Sequence, residues 1–480
     1  MIRIAVGAGF IPPLHEGIAG RSSTFFILIA LVTGLVPSRL GAQTAQERRT
    51  RAELLGELAQ AETALQREAT TPAVRLRYAE LLYQSGEFWR ARDLVAPLTE
   101  PPSATDETLE LGAKLEYLTG RYDQAERLYD RLIETRAGNV SKQVMAMVGK
   151  LFALYQRNRF DQIKAIAFPA GVQLPNATLA KSFERNPYRL EWHTERKVSE
   201  VPFYATDPLP QFAIEVNGVP IQVLFDTGGD LLILDDEVAA GLGVTAVASA
   251  TGRFGGGLPA KIGFGKVDRV KVGDVTLHDV PVMILATKRF TFDPKYVLGG
   301  IFGTALIRQF LGTLDYKNAK LVLRERTPEN ARALRSDLGD RLAAEVPFTL
   351  DATHLMNARG SLDGKEGLTF FIDSGLASDA AFTAPIQTLQ HAGIPIPTTE
   401  MPKEGAGGGG GKWARGFFPI QSLILGPLRQ TDLRGEYGSR PPESYWAQGY
   451  IVDGLLSHRF LRQYASWTLD FDSMTYLFER

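Results

Sequence analysis

Two four-residue stretches of this sequence place an aspartate where it could take part in acid–base chemistry. They are Phe225-Asp226-Thr227-Gly228 and Ile372-Asp373-Ser374-Gly375. Each Asp follows a short apolar run and precedes a small hydroxyl residue and a glycine, which permits a tight turn. Two carboxylates held close together cannot both ionise easily, so they share a proton. If the two stretches meet, the pair can therefore act as acid and base together.

The composition argues against several other chemistries. The 480 residues contain no cysteine, which removes disulfides, thiolate nucleophiles and cysteine zinc sites. The formal net charge of -1 provides no general field for attracting nucleic acid. The histidines are scattered without metal-ligand spacing, at His15, His193, His278, His354, His391 and His458. We therefore expect no metal, no cofactor and no nucleic-acid partner.

The first 42 residues resemble a targeting signal. The apolar run 25–32 follows Arg21 and is shorter than the roughly 20 residues that a membrane span needs. Gly34 and Pro37 interrupt the segment before the small residues at 41–42. We predict a signal peptide over residues 1–42 and export to the periplasm or the extracellular space. The alternative is an uncleaved membrane anchor, because Leu40 suits a cleavage site poorly.

Residues 43–170 have helical periodicity and contain an internal repeat. The stretch 83–91 matches the stretch 117–125 at an offset of 34 residues, and a weaker copy begins at Tyr155. This period is typical of a tetratricopeptide array, in which a glycine ends the first helix of each pair. The segment resembles such an array, which implies a protein partner on its concave face. The alternative is that it only packs on the next domain. Residues 171–200 are predicted to be a linker.

From residue 201 onward the pattern changes to short strands separated by turn residues, which is typical of an all-β structure. A hairpin with its turn at Asn217-Gly218 leads into Asp226. The pattern of residues 201–325 is repeated in 345–480, after a connection at 326–344. The stretch 300–310 aligns with 454–464, and the spacings from the Asp to the first glycine are 74 and 81 residues. The sequence thus predicts two duplicated β-rich lobes.

The two Asp triplets, the hairpins before them and the segment Val297-Leu298-Gly299-Gly300 resemble the retropepsin-like and pepsin-like aspartic peptidases. After the N-terminal all-α array, this resemblance implies an all-β bilobal acid-protease fold, in a monomer that holds a peptide or protein substrate in the cleft between its lobes. The implied catalytic residues are Asp226 and Asp373. The residues implied to support their loops are Thr227, Gly228, Ser374 and Gly375. The candidate flap residues are Phe254, Gly256, Gly408 and Trp413.

The glycine run at 405–411 has a competing interpretation as a phosphate-binding loop. That pattern requires a glycine where this sequence has Ala406 and a Ser or Thr where it has Trp413. The mismatch favours a flexible flap or a disordered insertion.

Two departures from the family pattern leave alternatives open. Gly229 and Leu376 follow the triplets, where the family commonly has Ser, Thr or Ala. The sequence therefore predicts an exported aspartic endopeptidase, with a catalytically degenerate binding protein as the alternative. A homodimer with one active lobe is a further alternative, which the two retained triplets disfavour. The base is not assigned to either Asp, because such a pair titrates as a unit.

Overall fold

The computed structural model describes residues 25–26, 50–68, 71–253, 259–396, 403–407, 412–438 and 442–480. For residues 25–26, 253, 403–407, 412–414 and 442–443 only the backbone is described. The predicted signal peptide therefore lies outside the described residues, apart from a two-residue strand at Phe25–Phe26. Among the helices that are described, none combines the length and the hydropathy needed to cross a membrane.

The N-terminal part of the chain is helical. Its helices are α1 (Arg51–Arg67), α2 (Pro72–Gln84), α3 (Phe88–Thr99), α4 (Asp106–Leu118), α5 (Tyr122–Thr135), α6 (Val140–Gln156), α7 (Phe160–Ala165) and α8 (Pro175–Lys181). Thr50 and Glu53 begin α1 with a capping box, in which each side chain binds the other residue's backbone N–H. Helix α8 lies within the segment predicted to be a linker, and its few residues are too short a stretch to show helical periodicity.

The repeated glycines follow α2 and α4, as the 34-residue period predicts. Gly86 has a φ of +86° and Gly120 a φ of +80°, a left-handed conformation that favours glycine. A Cβ on Gly120 would also lie 2.7 Å from Cγ of Met474, near the C-terminus. Both turns therefore abut the β-rich part of the chain, since a Cβ on Gly86 would overlap Thr369.

The remainder of the described chain is mostly β-structure. The strands are β1 (Phe25–Phe26), β2 (Arg189–Trp192), β3 (Val198–Pro202), β4 (Gln211–Val216), β5 (Val219–Phe225), β6 (Leu232–Leu234), β7 (Ala248–Arg253), β8 (Pro259–Val272), β9 (Val275–Ile284), β10 (Gly300–Phe302), β11 (Phe310–Asp315), β12 (Lys320–Glu325), β13 (Leu342–Pro347), β14 (Thr349–Asp351), β15 (Leu355–Leu362), β16 (Lys365–Ile372), β17 (Phe382–Ala384), β18 (Lys403–Gly407), β19 (Lys412–Leu425), β20 (Leu428–Tyr437), β21 (Gly454–Leu456), β22 (Ser466–Asp470) and β23 (Thr475–Glu479). The helices among them are α9 (Asp236–Gly241), α10 (Thr304–Ile307), α11 (Pro328–Leu338), α12 (Ile386–Ala392) and α13 (His458–Leu461), with 3-10 turns at Lys288–Phe290, Gly339–Arg341 and Pro442–Trp446.

The strands form three sheets. The first sheet has the order β2-β9-β6-β10-β5-β4-β8-β7, and the second has the order β1-β18-β19-β20-β17-β21-β16-β15-β14. The third has the order β13-β23-β22-β11-β12-β3, so it draws strands from both halves of the β-rich region. Strand β2 lies in the predicted linker and extends the first sheet by pairing with β9.

The main hydrophobic core runs through the first and second sheets and includes helical residues. Leu151, Leu154 and Tyr155 of α6 belong to it, as does Phe160 at the start of α7. A second buried cluster joins α2, α3 and α4 to the second sheet. The helical part is therefore packed tightly on the β-rich part.

Candidate active site

Each Asp triplet begins where a strand ends beside a parallel neighbour. Strand β5 pairs with β10 so that Val223 lies beside Gly300, and β16 pairs with β21 so that Phe370 lies beside Gly454. Both glycine strands also pair, antiparallel, with a third strand. The two strands that deliver the aspartates are thus supported in the same register.

The backbone of each Asp is fixed by its supporting strand. The Asp226 N–H donates to the Phe302 carbonyl at 3.1 Å, and the Asp373 N–H donates to the Leu456 carbonyl at 2.9 Å. These acceptors are the last residues of β10 and β21. The apolar-glycine segments recognised in the sequence therefore hold the two Asp loops from behind.

Thr227 and Ser374 tie the two loops together. The Thr227 N–H donates to Ser374 Oγ at 2.8 Å, and the Ser374 N–H donates to Thr227 Oγ1 at 3.0 Å. The Thr227 hydroxyl also donates to the Ile372 carbonyl at 3.1 Å. Both residues are fully buried, so water does not compete for these bonds.

The two aspartates lie close together at this junction. Both are fully buried, and each accepts a hydrogen bond through Oδ1, from Gly228 N–H at 2.6 Å and from Gly375 N–H at 3.1 Å. A Cβ on Gly228 would lie 2.7 Å from Oδ1 of Asp373, and one on Gly375 would overlap the Asp226 carboxylate. Each carboxylate therefore lies over the glycine of the opposite loop.

The remaining oxygens, Oδ2 of Asp226 and Oδ2 of Asp373, have no hydrogen-bond partner in the described part of the chain. The two carboxyl groups also interact directly with each other. Buried polar atoms are rarely left unpaired. The pair is therefore equipped to bind a small polar molecule between its two free oxygens.

Burial controls the ionisation of the pair. It raises the pKa of Asp226 from its ordinary value to about 7, against the opposing effect of the Gly228 backbone hydrogen bond. Burial, together with the charge of Asp226, raises the pKa of Asp373 well above its ordinary value. One proton is therefore retained by the pair after the other has left.

The residues after the two triplets differ in their surroundings. A Cβ on Gly229 would meet Ile233 Cδ1 at 3.6 Å and the Asp226 carbonyl oxygen at 3.7 Å, which are ordinary contacts. Leu376 is fully buried and belongs to the same hydrophobic cluster as Leu115 and Leu118 of α4. Gly229 therefore leaves room for a side chain, whereas Leu376 packs against the helical part.

The candidate flap residues belong to two stretches whose flanking strands are described. Strands β7 and β8 pair from Ala248 to Arg253 on one arm, and strands β18 and β19 pair in the second sheet. Phe254, Gly256 and Gly408 lie outside the described residues. Trp413 lies in β19, where its backbone is opposite Gly405.

The sequence did not point to two buried acidic residues near the dyad. Asp230, four residues after Asp226, accepts a hydrogen bond from the Tyr155 hydroxyl of α6 at 3.1 Å. Asp453, just before β21, forms a buried ion pair with Arg51 at the start of α1. Asp230 could have been noticed from its nearness to the triplet, but neither partner is predictable from a local pattern.

The described residues contain no group of three or more His, Asp or Glu side chains that could hold a metal ion.

Comparison with known proteins connects the first half of this site to a family. A family model described as aspartyl protease matches residues 212–305, a range that contains Asp226 and β10. A search of curated proteins gives no match. The crystal structure of a retropepsin-like aspartic protease from Rickettsia conorii is 19% identical, with a TM-score of 0.20, and the match covers 29% of this chain and 94% of that chain. With so low a TM-score, this structure assigns no role to any residue of the chain. The family match supports an aspartic peptidase.

Proposed function

We propose that this chain is an aspartic endopeptidase that hydrolyses peptide bonds with a water molecule activated between Asp226 and Asp373. The single observation that carries the proposal is the reciprocal pair of hydrogen bonds between Thr227 and Ser374, which holds two buried carboxyl groups together. The family match at residues 212–305 supports the same class of enzyme.

The ionisation of the pair suits this reaction. The carboxylate takes a proton from the bound water, while the protonated partner donates a hydrogen bond to the oxygen of the scissile carbonyl. Attack by the water then gives a tetrahedral intermediate, whose negative oxygen is stabilised by the protonated carboxyl group. The proton taken from the water passes to the leaving amine as the peptide C–N bond breaks. Both carboxyl groups belong to one chain, so a monomer suffices.

The matching strand registers around Asp226 and Asp373 support a bilobal, duplicated acid-protease fold. In that fold the hairpins β7–β8 and β18–β19 close over an extended peptide and pair with its backbone. The positive φ angles of Gly86 and Gly120 support a tetratricopeptide-like array in the helical part. Export, a cleaved signal over residues 1–42 and a protein partner for the array remain proposals drawn from the sequence.

A catalytically degenerate binding protein is the second candidate, and Leu376 favours it. Leu376 has no hydroxyl that could support the carboxylate of Asp373, and its side chain packs in the hydrophobic cluster that includes α4. Such a protein would bind peptides in the same cleft without cleaving them.

The deciding experiment incubates the purified chain, with and without residues 1–42, with a peptide library at acidic and neutral pH. Asp226→Asn and Asp373→Asn serve as matched variants, because each keeps the size of the side chain and removes its charge. We expect cleavage by the parent and at least a ~1,000-fold loss in each variant, since both carboxyl groups act in the same step. Cleavage that survives either substitution would contradict the proposed mechanism. Binding of peptides by the parent without cleavage would favour the second candidate.

A further inference from the structure

The corner of the second sheet beside Asp373 contains a buried ion pair. Arg415 Nη1 donates to Glu436 Oε2 at 3.1 Å, and the two side chains are 3% and 0% exposed. The hydroxyl of Ser378, five residues after Asp373, donates to the same carboxylate oxygen at 3.2 Å. The ion pair is therefore linked directly to the segment that leaves the Asp loop.

The first sheet provides an internal comparison for this corner. Strand β6 of the first sheet lies between β10 and β9, and strand β17 of the second sheet lies in the same way between β21 and β20. The residues of the two sheets can be aligned by matching Gly300, which begins β10, with Gly454, which begins β21. The hairpins β8–β9 and β19–β20 extend the alignment by one more strand. The aligned residues of one face are Ile233, Met283, Phe264 and Ile262 in the first sheet, and Thr383, Glu436, Phe417 and Arg415 in the second.

The aligned face differs in chemistry between the two sheets. Ile262 and Met283 are fully buried and apolar, whereas Arg415 and Glu436 at the same places are charged. Residues that are paired across strands share a face of the sheet, and so do residues two apart on one strand. The ion pair of Arg415 and Glu436 in the second sheet therefore stands where the first sheet has the apolar pair Ile262 and Met283.

This face lies next to the dyad. In the first sheet, Ile233 Cδ1 would lie 3.6 Å from a Cβ placed on Gly229, three residues after Asp226. In the second sheet, the hydroxyl of Ser378, five residues after Asp373, donates to Glu436 of this face at 3.2 Å. The apolar face therefore adjoins the loop of one aspartate, and the polar face adjoins the loop of the other.

The ion pair is not required to build the corner. Moving two charges out of water is costly, and well-packed apolar residues often replace a buried ion pair without loss of stability. At the equivalent positions, the first sheet packs the apolar residues Ile262 and Met283. A role in recognition explains why the second sheet has charged residues there.

Two buried polar atoms on this face lack a partner within the described residues. They are Nε of Arg415 and Oγ1 of Thr383, and Thr383 lies directly beside Glu436 in the paired strands. A buried donor left unpaired destabilises the folded protein. Both atoms would gain from a substrate group that accepts and donates hydrogen bonds.

We infer that Arg415, Glu436 and Thr383 form a specificity pocket that prefers an uncharged polar side chain, such as an amide or a hydroxyl, on one side of the scissile bond. The inference rests on the proposed peptidase activity. An uncharged group fits because the charges of Arg415 and Glu436 are already paired, so a further charge buried beside them would be costly. The equivalent pocket of the first sheet, with Ile262 and Met283, prefers an apolar side chain.

The test exchanges one pocket for the other. The double substitution Arg415→Ile with Glu436→Met gives the second sheet the residues of the first and leaves no charge without its partner. Cleavage sites in a peptide library are determined by mass spectrometry, and kcat/KM is measured for a peptide pair that differs only by Gln or Leu at the selected position. The control is Arg335→Met with Asp470→Asn, which removes an ion pair that Arg335 makes with the third sheet at 2.9 Å.

We expect the parent to select Asn, Gln, Ser or Thr at one position on one side of the cleaved bond, and to prefer the Gln peptide by at least about tenfold. The exchanged variant should prefer the Leu peptide, while the control keeps the preference of the parent. Cleavage by a parent that selects apolar residues on both sides would overturn the inference and leave the peptidase standing. A preference that the exchange does not alter would do the same.

A binding measurement separates failure of the pocket from failure of the peptidase. The probes are two pools of ten-residue peptides, one containing Asn and Gln and the other with Leu at those positions, and the protein is the full chain carrying Asp226→Asn. Stronger binding of the amide pool, lost on adding the exchange at Arg415 and Glu436, supports the pocket even if the parent cleaves nothing. Equal binding of the two pools, or no binding of either, overturns it. Thermal unfolding of each variant establishes that it is folded.

Discussion

Thr227 and Ser374 each donate a backbone N–H to the side-chain oxygen of the other, at 2.8 and 3.0 Å. They are 147 residues apart in sequence, yet each directly follows one of the two buried aspartates. Because the bonds join the loops that carry the carboxyl groups, they fix how far apart those groups lie. The geometry of the dyad is thus determined by two hydroxyl residues that do not take part in proton transfer.

The first prediction concerns the hydroxyl of Thr227. The substitution Thr227→Val keeps the shape of the side chain but leaves the Ser374 N–H and the Ile372 carbonyl without their partner. Each buried group left unpaired costs roughly 1–3 kcal/mol, so we expect the free energy of unfolding to fall by about 2–5 kcal/mol. Urea unfolding measures this loss, and peptide cleavage should fall with it.

The control for this prediction is Thr227→Ser, which keeps the hydroxyl and removes one methyl group. Its loss should be limited to about 1 kcal/mol, the value of one buried methyl group or slightly more. Equal stability of the valine and serine variants would show that the hydroxyl does not hold the loops together.

The second prediction concerns the dependence of cleavage on pH. Burial raises the pKa of Asp226 to about 7, so both carboxyl groups of the pair are protonated in acid, and the carboxylate that acts as base forms as the pH rises toward neutrality. We expect kcat/KM to increase about tenfold per pH unit below pH ~7 and to level off above it. It should fall again only at higher pH, where the pair loses its second proton. An acid limb centred near pH 4 would contradict the raised pKa.

The same shift predicts how stability depends on pH. The pKa of Asp226 is higher in the folded protein than in the unfolded chain, where it is about 4. The folded state therefore binds more protons, and the free energy of unfolding should decrease as the pH rises from about 4 to about 7. Urea unfolding across this range should show a smaller decrease for Asp226→Asn. An identical decrease in the parent and the variant would assign it to other groups.

The third prediction uses the space beside Gly229. A Cβ there makes only ordinary contacts, the shortest being 3.6 Å to Ile233, so Gly229→Ser should fold. A hydroxyl that donates to the Asp226 carboxylate would favour its charged form and lower its pKa. We expect the acid limb of the pH profile to move down by about one unit, which corresponds to about 1.4 kcal/mol.

Gly229→Ala is the matched control, because it fills the same space without a donor. It should leave the acid limb within about 0.3 units of the parent, since alanine adds no hydrogen bond to the charged form. If the serine and alanine variants have the same profile, the hydroxyl does not reach the carboxylate. Gly228→Ala should be strongly impaired, because its Cβ would lie 2.7 Å from Asp373 Oδ1.

The local features of the site could be predicted from the sequence because local chemistry determines them. The turn Asn217-Gly218 has positive φ at both residues, as such a hairpin requires. The alignment of 300–310 with 454–464 predicts a repeated pattern, and in the structure Gly300 and Gly454 lie beside equivalent residues of β5 and β16.

The contacts between the helical part and the dyad region could not be predicted in this way. In the sequence, Leu376 is only a departure from a family pattern. Its burial beside α4 depends on how the helices pack on the second sheet. The hydrogen bond from Tyr155 to Asp230 joins residues 75 apart. Such contacts follow from tertiary packing, which no local pattern contains.

The last prediction concerns Arg51 and Asp453, which connect the start of α1 to the support of Asp373. Their side chains are 8% and 1% exposed, and Asp453 also accepts the Thr369 N–H at 2.8 Å. Burial raises the pKa of Asp453, and the Arg51 charge opposes that rise. Removal of the guanidinium would therefore leave a buried carboxylate without its counter-charge.

We expect Arg51→Met to lower the free energy of unfolding by about 3–5 kcal/mol, and Arg51→Met with Asp453→Asn to lower it by less than the sum of the two single substitutions. Cleavage should fall in Arg51→Met because Asp453 directly precedes β21, whose Leu456 accepts the Asp373 N–H. Arg77→Met is the control, since Arg77 is 51% exposed in its ion pair with Glu57 and should contribute less than about 1 kcal/mol. Additive losses in the double variant would show that the two buried charges do not depend on each other, and that the helical part supports the dyad by apolar packing alone.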